Sequence, residues 1–261
     1  MDIQPVYGIP ALKADNNLII ADMHIGVEAH LGSKGFHITS HTQDMYDAIM
    51  ECADGCSHLY VLGDVKNTVP GSSKQEYREI PDFFISLTEV FNTVTIVRGN
   101  HDTNIEEFIP PEVKVAPATG IRIGELGMCH GHTWPSKDVM SCKTLVMAHN
   151  HPSVMFVDGV GKQTTEPCWM RGQFVSGGER YLSYPENYII IPNFNRILGG
   201  SPVNITGGDF LGPLVSPDYM DLDNAQLFLL DGIYLGKRKD LMVKARANWF
   251  GKSREKNPNE S

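Results

Sequence analysis

The first half of the chain alternates short apolar runs with longer amphipathic segments. The apolar runs, which are typical of buried strands, lie at residues 17–21, 58–63 and 93–97. Apolar side chains recur at helical spacing in residues 42–53, where Met45 and Ile49 share one face, and again in residues 81–91. Strands that alternate with helices pair in parallel, with the helices as crossover connections. The pattern therefore predicts a parallel β-α-β-α-β unit.

The second half changes to short strands separated by glycine and proline. These strands are predicted at residues 121–129, 144–148, 154–157, 188–191, 226–230 and 233–235. A hairpin signal lies at residues 230–233, because its Asp-Gly pair suits a tight turn. With 261 residues, 41% of them hydrophobic, the chain can bury one sizeable core. We expect one α/β domain of mixed sheets with helices outside, over residues 1–250, and a flexible basic tail at 251–261.

Composition places the protein in a broad class. The first twenty residues lack a basic start followed by an apolar run, so no secretory signal is expected. No stretch approaches the ~18 uncharged apolar residues of a transmembrane helix, so no membrane association is expected. The five cysteines are an odd number and are thinly spread, which suits a reducing compartment. Together these features predict a cytoplasmic protein.

Charge is distributed unevenly along the chain. The net charge of −9 argues against a protein that coats polyanions in general. Residues 237–256 nevertheless hold eight lysines and arginines against Asp240 and Glu255. This basic C-terminal strip has two interpretations. It is either a solvated hairpin and tail, which is common at chain ends, or a surface that faces the phosphates of DNA.

Polar residues that can bind metal ions follow five of the predicted strands. They are Asp22 and His24, Asp64, Asn100 and His101, His130 and His132, and His149 and His151. In an open α/β sheet, the carboxyl ends of the strands border the crevice in which ligands bind. Residues two apart on an extended chain point the same way, so the side chains of a D-x-H or H-x-H pair can reach one ion. The pattern predicts a metal site at this edge.

The types of donor indicate which ions would bind. Oxygen and imidazole donors together suit Mn²⁺, Fe or Zn²⁺, with Mn²⁺ preferred and Ni²⁺ a further option. The set is too large for a single ion, so we expect two divalent metal ions. Such a pair, ~3.5–4 Å apart, can clamp the attacking and leaving oxygens of a phosphoryl displacement. Each motif alone is typical of an ordinary turn or cap, but five in this order, each at a strand end, favour the metal site.

The motifs resemble those of a known family. They read DMH (22–24), GDVKN (63–67), RGNHD (98–102), HGH (130–132) and AHNH (148–151). This series resembles the calcineurin-like metallophosphoesterase superfamily. The stretches GDVK, HGHTWPS, AHNHP and IIPNFNRILGG are similar to the archaeal branch related to the bacterial SbcD nuclease subunit. The resemblance implies a four-layer α-β-β-α sandwich, in which two mixed sheets are flanked by helices and two metals lie at the strand ends.

The resemblance also implies a role for each matching residue. The first metal would be held by Asp22, His24 and His151, the second by Asn100, His130 and His149, and Asp64 would bridge both. His101 would lie beside the phosphate and give a proton to the leaving oxygen, and Asp102 would orient it. One position departs from the family pattern, because Ala148 stands where glycine is usual. Alanine only restricts the backbone there.

Four further residues are candidates for contact with the substrate: Arg98, His132, Arg171 and Asn193. Each has a structural alternative. Arg98 can pair with a nearby carboxylate, His132 can finish a turn, and Arg171 and Asn193 can make structural hydrogen bonds. The long segment at residues 26–41, which holds three histidines, is either a mobile flap over the cleft or a packed surface loop.

Three functions stay open on the sequence alone. The first is a dinuclear-metal phosphoesterase that hydrolyses phosphodiester bonds by attack of a metal-bridged hydroxide. The nuclease likeness and the basic strip point to DNA as its substrate. The second is a small-molecule phosphatase or nucleotide diphosphatase that uses the same metals. The third is a scaffold that kept the fold and lost the chemistry, against which the complete ligand set argues.

Overall fold

The computed structural model describes residues 2–36, 38–175 and 179–244, which form two β-sheets with helices outside. The α-helices are α1 (Val27–Ser33), α2 (Thr42–Cys52), α3 (Lys74–Val90) and α4 (Lys137–Met140). Short 3-10 helices lie at Ile105–Glu107 and Arg238–Leu241. None of the helices in these ranges has the length and apolar character needed to span a lipid bilayer.

The first sheet has six strands and contains the predicted parallel unit. The strands lie side by side in chain order and are β1 (Ile3–Pro5), β2 (Leu12–Ala14), β3 (Asn17–Ile20), β4 (His58–Val61), β5 (Thr93–Val97) and β6 (Lys114–Ala116). The first three pair antiparallel, whereas β3 to β6 pair in parallel. The β-α-β-α-β prediction is confirmed, with α2 and α3 as its crossover helices.

The second sheet is built from the second half of the chain. Its strands are β7 (Ile121–Ile123), β8 (Leu126–Cys129), β9 (Thr144–Met147), β10 (Pro152–Val157), β11 (Gln163–Gln173), β12 (Asn187–Ile190), β13 (Ser201–Pro202), β14 (Gln226–Leu229) and β15 (Tyr234–Lys237). The main path runs β13-β10-β11-β12-β9-β8-β7, and β14 pairs with β11 and β15. Parallel pairs β8–β9 and β9–β12 adjoin antiparallel pairs of β11, so the sheet is mixed. The predicted hairpin is the turn between β14 and β15.

Three apolar layers hold the sheets and helices together. The layer between the sheets includes Ile19, Val97, Val146 and Ile189. A second layer joins the outer face of the first sheet to α2 and α3. A third covers the outer face of the second sheet with α4 and loop segments. The predicted sandwich of two mixed sheets is confirmed, and its fourth layer is built largely from loops.

Some predicted elements differ from the structure. Residues 121–129, predicted as one strand, form a hairpin of β7 and β8, because Gly124 turns the chain at a φ of 56°. The helix predicted at 81–91 begins at Lys74, where Ser73 and Glu76 form a capping box, and Pro81 lies inside it. Strand β11 escaped prediction because its sequence, QTTEPCWMRGQ, mixes polar residues with proline.

The segment at residues 26–41 is anchored by its helical part. Glu28 of α1 is buried, and its carboxylate accepts hydrogen bonds from the His41 backbone N–H (2.9 Å) and from Gln75 Nε2 (3.1 Å). These contacts favour a packed surface loop over a mobile flap. The tail predicted at 251–261, and the basic strip from residue 245 onward, lie outside the described residues.

Candidate metal centre

Loops at the carboxyl ends of β3, β4, β5, β8 and β9 carry the predicted metal ligands. Hydrogen bonds join these loops. The Asp22 N–H donates to the Gly63 carbonyl (3.1 Å), and the His24 N–H donates to the Asp64 carbonyl (2.8 Å). The His149 N–H donates to Asp22 Oδ2 (3.2 Å), which links the second sheet to the first. The predicted ligands are thereby brought to one edge of both sheets.

The backbone of these loops adopts a strained conformation. Seven non-glycine residues with positive φ occur among the described residues. Five of these are predicted ligands: Asp22 (54°), His24 (43°), Asp64 (52°), His149 (68°) and His151 (43°). Such backbone costs roughly 1–3 kcal/mol per residue and persists only where the surroundings impose it, which happens mostly at functional sites.

The first group of donors consists of Asp22, His24 and His151, whose ligand atoms lie within 4.8 Å of one another. His151 Nε2 is 3.4 Å from Asp22 Oδ1. Within the described protein, the buried Asp22 Oδ1 and both ring nitrogens of His24 have no hydrogen-bond partner. An unpartnered buried polar atom costs free energy, so these atoms fit a site for a cation.

The second group consists of Asp64, His130 and His149, whose ligand atoms also lie within 4.8 Å of one another. His130 Nε2 is 3.1 Å from both Asn100 Oδ1 and His149 Nδ1. His130 Nδ1 donates to the Leu62 carbonyl (2.8 Å). In the neutral ring the lone pair is therefore on Nε2, which faces the other donors and is ready to bind a metal ion.

Asp64 lies between the two groups. Its Oδ2 atom is 3.4 Å from His130 Nε2 and 3.6 Å from His24 Nε2. Its Oδ1 atom accepts a hydrogen bond from the His101 N–H (2.9 Å), which fixes the carboxylate. A Cβ at Gly99 would collide with Oδ1, so only glycine leaves room for this arrangement. The placement is the one that a bridging ligand needs.

Burial and the two carboxylates determine the protonation of the cluster. Burial lowers the pKa of His24 and of His149 to about 4, so both rings are neutral at pH 7. Burial also opposes charge on His130, but Asp64 and Asp22 outweigh it and raise its pKa to about 9. Burial alone would raise the pKa of Asp64, yet His130 holds it well below its usual range. Two ionised carboxylates thus attract a positive charge, which a proton on His130 supplies when no metal does.

His101 lies at the open side of the cluster. Its side chain is 29% exposed, and its Nε2 atom is 3.9 Å from Asp64 Oδ2. Its Nδ1 atom donates to the Asn67 carbonyl (2.8 Å), which fixes the orientation of the ring. The ring stands edge-on to that of His24, with 4.8 Å between centroids. This orientation directs Nε2 towards the cluster.

Asp102 makes different contacts from those expected. Its buried carboxylate accepts hydrogen bonds from the backbone N–H groups of Asp64, Val65 and Gly99, each at 2.8 Å. Burial and then the charge of Asp64 raise the pKa of Asp102, against which the backbone donors act. Because the carboxylate is turned towards these amides, Asp102 holds the Asp64 loop in place, and its described hydrogen bonds include none to the ring of His101.

Two of the predicted substrate contacts lie near the cluster. The guanidinium of Arg98 pairs with Glu106 and donates to the Asp102 carbonyl (2.8 Å). These contacts support the alternative in which Arg98 pairs with a nearby carboxylate. The ring of His132 lies 5.2 Å from that of His130 and 6.0 Å from that of His149, between centroids. Its buried Nδ1 atom has no hydrogen-bond partner among the described residues. His132 therefore lines the second donor group.

Asn193 is buried in a loop that supports the first donor group. Its Nδ2 atom donates to the carbonyls of Asn195 (2.6 Å) and Leu198 (3.2 Å). Asn195 in turn donates from Nδ2 to the Met23 carbonyl (2.8 Å), between two predicted ligands. The loop braces the Asp22–His24 segment, so the contacts of Asn193 are structural.

Arg171 lies away from the metal centre. It lines a cavity with Thr144 and Asn187, which are the first residues of β9 and β12. The donor groups lie at the opposite, carboxyl ends of these strands. Arg171 lies opposite Ile189 of β12, and no residue of the donor groups lines this cavity. Its place in the fold gives no support to a contact between Arg171 and a substrate at the metal centre.

The first residues of the basic strip also lie apart from the donor groups. Lys237 lines the same cavity as Arg171. Arg238 pairs with Asp223 (3.0 Å) and donates to the Val203 carbonyl (2.7 Å). Neither residue faces the metal centre, so they give no local support for DNA binding there.

Two buried charges beside the metal centre escaped prediction. Lys66 is 2% exposed, and its Nζ atom donates to the Gly71 carbonyl (2.7 Å). Glu76 is fully buried, and its carboxylate accepts a hydrogen bond from the Asn67 N–H (2.9 Å). Together they fix the loop whose Asn67 carbonyl holds His101. The available signal was the lysine inside GDVKN, directly after a ligand motif.

Comparison with known proteins identifies the family. The family model for calcineurin-like phosphoesterase matches residues 17–199. The chain belongs to this family. Membership implies a hydrolase that acts on phosphoester bonds and depends on a dinuclear metal centre. All of the predicted metal ligands lie within the matched residues.

Several solved structures are similar to this calcineurin-like phosphoesterase. Nuclease MPE from Pseudomonas putida is 18% identical, with 88% of this chain and 96% of that chain covered and a TM-score of 0.48. The phosphoesterase Yfce from E. coli is 18% identical, with 85% and 97% covered and a TM-score of 0.40. A metallophosphoesterase from Sphaerobacter thermophilus is 12% identical, with 86% and 90% covered and a TM-score of 0.34. No curated protein sequence matches the chain. Likenesses of this degree support no conclusion about activity.

The donors of this calcineurin-like phosphoesterase fit two divalent cations. The donor groups offer carboxylate oxygens and imidazole nitrogens, with the Asn100 amide oxygen beside the second group, and this mixture suits borderline transition-metal ions. The unpartnered atoms of Asp22 and His24 mark the first position. The lone pair of His130 Nε2, fixed by Leu62, marks the second.

Proposed function

We propose that this calcineurin-like phosphoesterase is a dinuclear-metal phosphodiesterase with Asp64 as the bridging ligand. Asp22, His24 and His151 hold one ion, and Asn100, His130 and His149 hold the other. The observation that carries the proposal is the position of Asp64 Oδ2, which is 3.4 Å from His130 Nε2 and 3.6 Å from His24 Nε2. The mixed donor set supports Mn²⁺, with Fe, Zn²⁺ and Ni²⁺ as alternatives.

The chain supplies a preorganised set of charges for this chemistry. When bound, the two ions lower the pKa of a water molecule and neutralise the substrate phosphate, which promotes in-line attack. Asp22 and Asp64 are buried, and the pKa of each is lowered despite that burial, so both stay ionised. His24 and His149 are neutral at pH 7, so neither needs to lose a proton before it binds an ion.

Protonation of the leaving oxygen is assigned to His101. Its Nδ1 proton is held by the Asn67 carbonyl, so a proton on Nε2 faces the cluster. A general acid of this kind typically contributes about 10²–10⁴-fold in rate. The partial exposure of the ring lets it regain a proton from solvent after each turnover.

The substrate we propose is a phosphodiester, with DNA foremost. Support comes from the likeness of GDVK, HGHTWPS, AHNHP and IIPNFNRILGG to the archaeal branch related to the SbcD nuclease subunit. The acidic chain instead favours the alternative, a small-molecule phosphatase or nucleotide diphosphatase. The complete ligand set opposes a silent scaffold.

We also propose that residues 1–250 act as a single domain in the cytoplasm. The two sheets share one apolar layer, which supports a single domain. All five cysteines are free, which supports a reducing compartment.

A substrate panel tests the proposed function. Purified, metal-stripped protein receives Mn²⁺ and is offered bis-p-nitrophenyl phosphate, p-nitrophenyl phosphate, single-stranded DNA and a nucleoside diphosphate ester. We expect cleavage of the diester and of DNA, and its loss in Asp64→Ala. Activity only on the monoester or the diphosphate would establish the small-molecule alternative on the same metal centre. Inactivity on every substrate with both metals bound would indicate a scaffold.

A further inference from the structure

A cationic row crosses the face of the second sheet that Arg171 occupies. Arg171 of β11 lies opposite Gln226 of β14, which in turn lies opposite Lys237 of β15. Residues directly opposite on paired strands share a face, and neighbouring strands are ~4.8 Å apart, so the Cα atoms of the two cationic residues are about 10 Å apart. All three residues line a cavity of about 470 Å³.

The positive charge of this row is not neutralised. Within the described part of the chain, the ion pairs of lysine and arginine include neither Arg171 nor Lys237. Among the described residues, the hydrogen bond of Lys237 Nζ goes to Asn224 Oδ1, at 3.4 Å. Asp221, whose oxygens accept hydrogen bonds from Asn224 Nδ2 (2.9 and 3.1 Å), also lines the cavity and adds one negative charge. The two cations of the row exceed this charge, so the cavity suits an anionic ligand.

An aromatic row lies directly beside the cationic row. Trp169 precedes Arg171 by two residues, so both side chains point to the same face of β11. Trp169 lies opposite Phe228, which lies opposite Tyr234, and the rings of the last two are 5.0 Å apart. Trp169, Phe228 and Arg171 line a second cavity of about 210 Å³. Because Arg171 lines both cavities, flat apolar walls adjoin the positive charge.

Trp169, which lines this second cavity, has an indole N–H without a hydrogen-bond partner among the described residues. Trp169 is 2% exposed, and its Nε1 atom is buried with no hydrogen-bond partner among the described residues. A buried N–H donor without an acceptor costs free energy. A ligand ring with an acceptor atom, bound in the cavity that Trp169 lines, would remove this cost.

We propose that this face binds a nucleotide unit, with its phosphate on Arg171 and Lys237 and its base against Phe228. A ring acceptor of the base then takes the Trp169 N–H. Guanidinium groups match phosphate geometry, and bases pack on aromatic side chains. The larger cavity is within the ~300–1,000 Å³ range of small-molecule sites. A free mononucleotide and a single DNA strand share this chemistry. Neither cavity is lined by a residue of the two donor groups, so the site is separate from the metal centre and goes beyond the proposed function.

Binding of two probes to the full-length protein tests this site. The probes are 2′-deoxyadenosine 5′-monophosphate, followed by calorimetry, and a labelled six-residue deoxyadenosine phosphorothioate, followed by anisotropy. EDTA is present so that the metal centre does not bind phosphate. We expect Arg171→Gln to lower the affinity for both probes by about tenfold or more. Phe228→Leu should lower both affinities by about fivefold or more, because the base loses its stacking contact.

Three further variants distinguish loss of the site from a folding defect. Lys237→Gln changes only an exposed side chain of the row, and should weaken both probes by about threefold or more. Lys162→Gln removes one exposed charge between β10 and β11, outside the cavities, and should leave both affinities within about twofold of the wild type. Asp64→Asn should also bind like the wild type, because the site is separate from the metal centre.

The relative affinities of the two probes identify the ligand, and three results would overturn the proposal. Binding of the oligonucleotide at least about tenfold tighter than the mononucleotide identifies a single strand as the ligand, and equal affinities identify a free nucleotide. The proposal is overturned if neither probe binds at millimolar concentration. It is equally overturned if Arg171→Gln and Lys237→Gln bind like the wild type, or if Asp64→Asn abolishes binding.

Discussion

The Nδ1 atom of His101 donates to the carbonyl oxygen of Asn67 at 2.8 Å, so a backbone group sets the direction of the candidate acid. The Asn67 N–H is held by the buried Glu76 carboxylate at 2.9 Å. Lys66 Nζ donates to the Gly71 carbonyl at 2.7 Å and closes the same loop. A buried carboxylate and a buried ammonium thus position His101 through the loop that they hold.

Replacing His101 tests its role as the acid. In His101→Asn we expect kcat for bis-p-nitrophenyl phosphate to fall by ~10²-fold or more with two metal ions still bound, because asparagine cannot protonate the leaving oxygen. Steady-state kinetics with Mn²⁺ and metal analysis check both statements. His58→Asn, at the amino end of β4, is the matched control. Unchanged hydrolysis in His101→Asn would remove His101 from the mechanism.

Lys66→Met tests whether the buried ammonium positions His101. The Gly71 carbonyl loses its donor, so the free energy of unfolding should fall by about 2–3 kcal/mol. We expect kcat to fall with KM unchanged, because His101 loses its fixed direction. Urea denaturation and kinetics measure the two effects, with the exposed Lys162→Met as control.

The double variant Lys66→Met/His101→Asn distinguishes positioning from a separate contribution. If Lys66 acts through His101, the double variant has the kcat of His101→Asn alone. Losses that multiply would show that Lys66 affects turnover by another route.

Asp102→Asn tests whether the Asp102 carboxylate holds the Asp64 loop in place. Asparagine keeps one acceptor oxygen but turns an amide donor towards backbone N–H groups that the carboxylate accepted at 2.8 Å. We expect the free energy of unfolding to fall by about 3 kcal/mol and Mn²⁺ affinity to fall with it. Denaturation and calorimetry measure these quantities. Wild-type stability and affinity with a lower kcat would instead mean that Asp102 acts on His101.

Metal affinity should depend on pH through His130. Its pKa is raised to about 9 by Asp64 and Asp22 against the effect of burial, so below about pH 9 the metal must displace a proton from the ring. Asp22 also raises the pKa of His151 against the effect of burial, so a second proton must leave at lower pH. Affinity for Mn²⁺ should therefore rise at least about tenfold per pH unit up to about pH 9 and level off above it. His24 and His149, with pKa values of about 4, add no proton above roughly pH 5. Calorimetry across this range gives the slope, and a constant affinity between about pH 7 and about pH 9 would contradict the assignment.

The candidate ligands could be located from the sequence because parallel strands present their carboxyl ends at one edge. Asp22 and Asp64 follow apolar runs that are unmistakable strands, and the structure places each in a donor group. The strand at Thr93–Val97 was predicted to the residue, since polar residues bound its apolar run on both sides.

The remaining contacts depend on pairing between distant parts of the chain. Arg171 was a candidate for the site by its place in the sequence, but the pairing of β11 with β12 and β14 places it beside a separate cavity. In the sequence, Lys66 looks like an ordinary polar residue. Its burial depends on distant residues such as Phe108, whose ring centroid lies 5.7 Å from the Lys66 ammonium. No local pattern specifies either relationship.

The number and coupling of bound manganese ions test the central claim most directly. The protein is stripped, reloaded with Mn²⁺ and freed of excess metal, then examined by metal analysis and electron paramagnetic resonance. With Asp64 between the two donor groups, we predict two Mn²⁺ ions per chain with a spin-coupled spectrum, and loss of the coupling in Asp64→Ala. One ion per chain, or two ions with the spectrum of isolated Mn²⁺, would contradict a dinuclear centre bridged by Asp64.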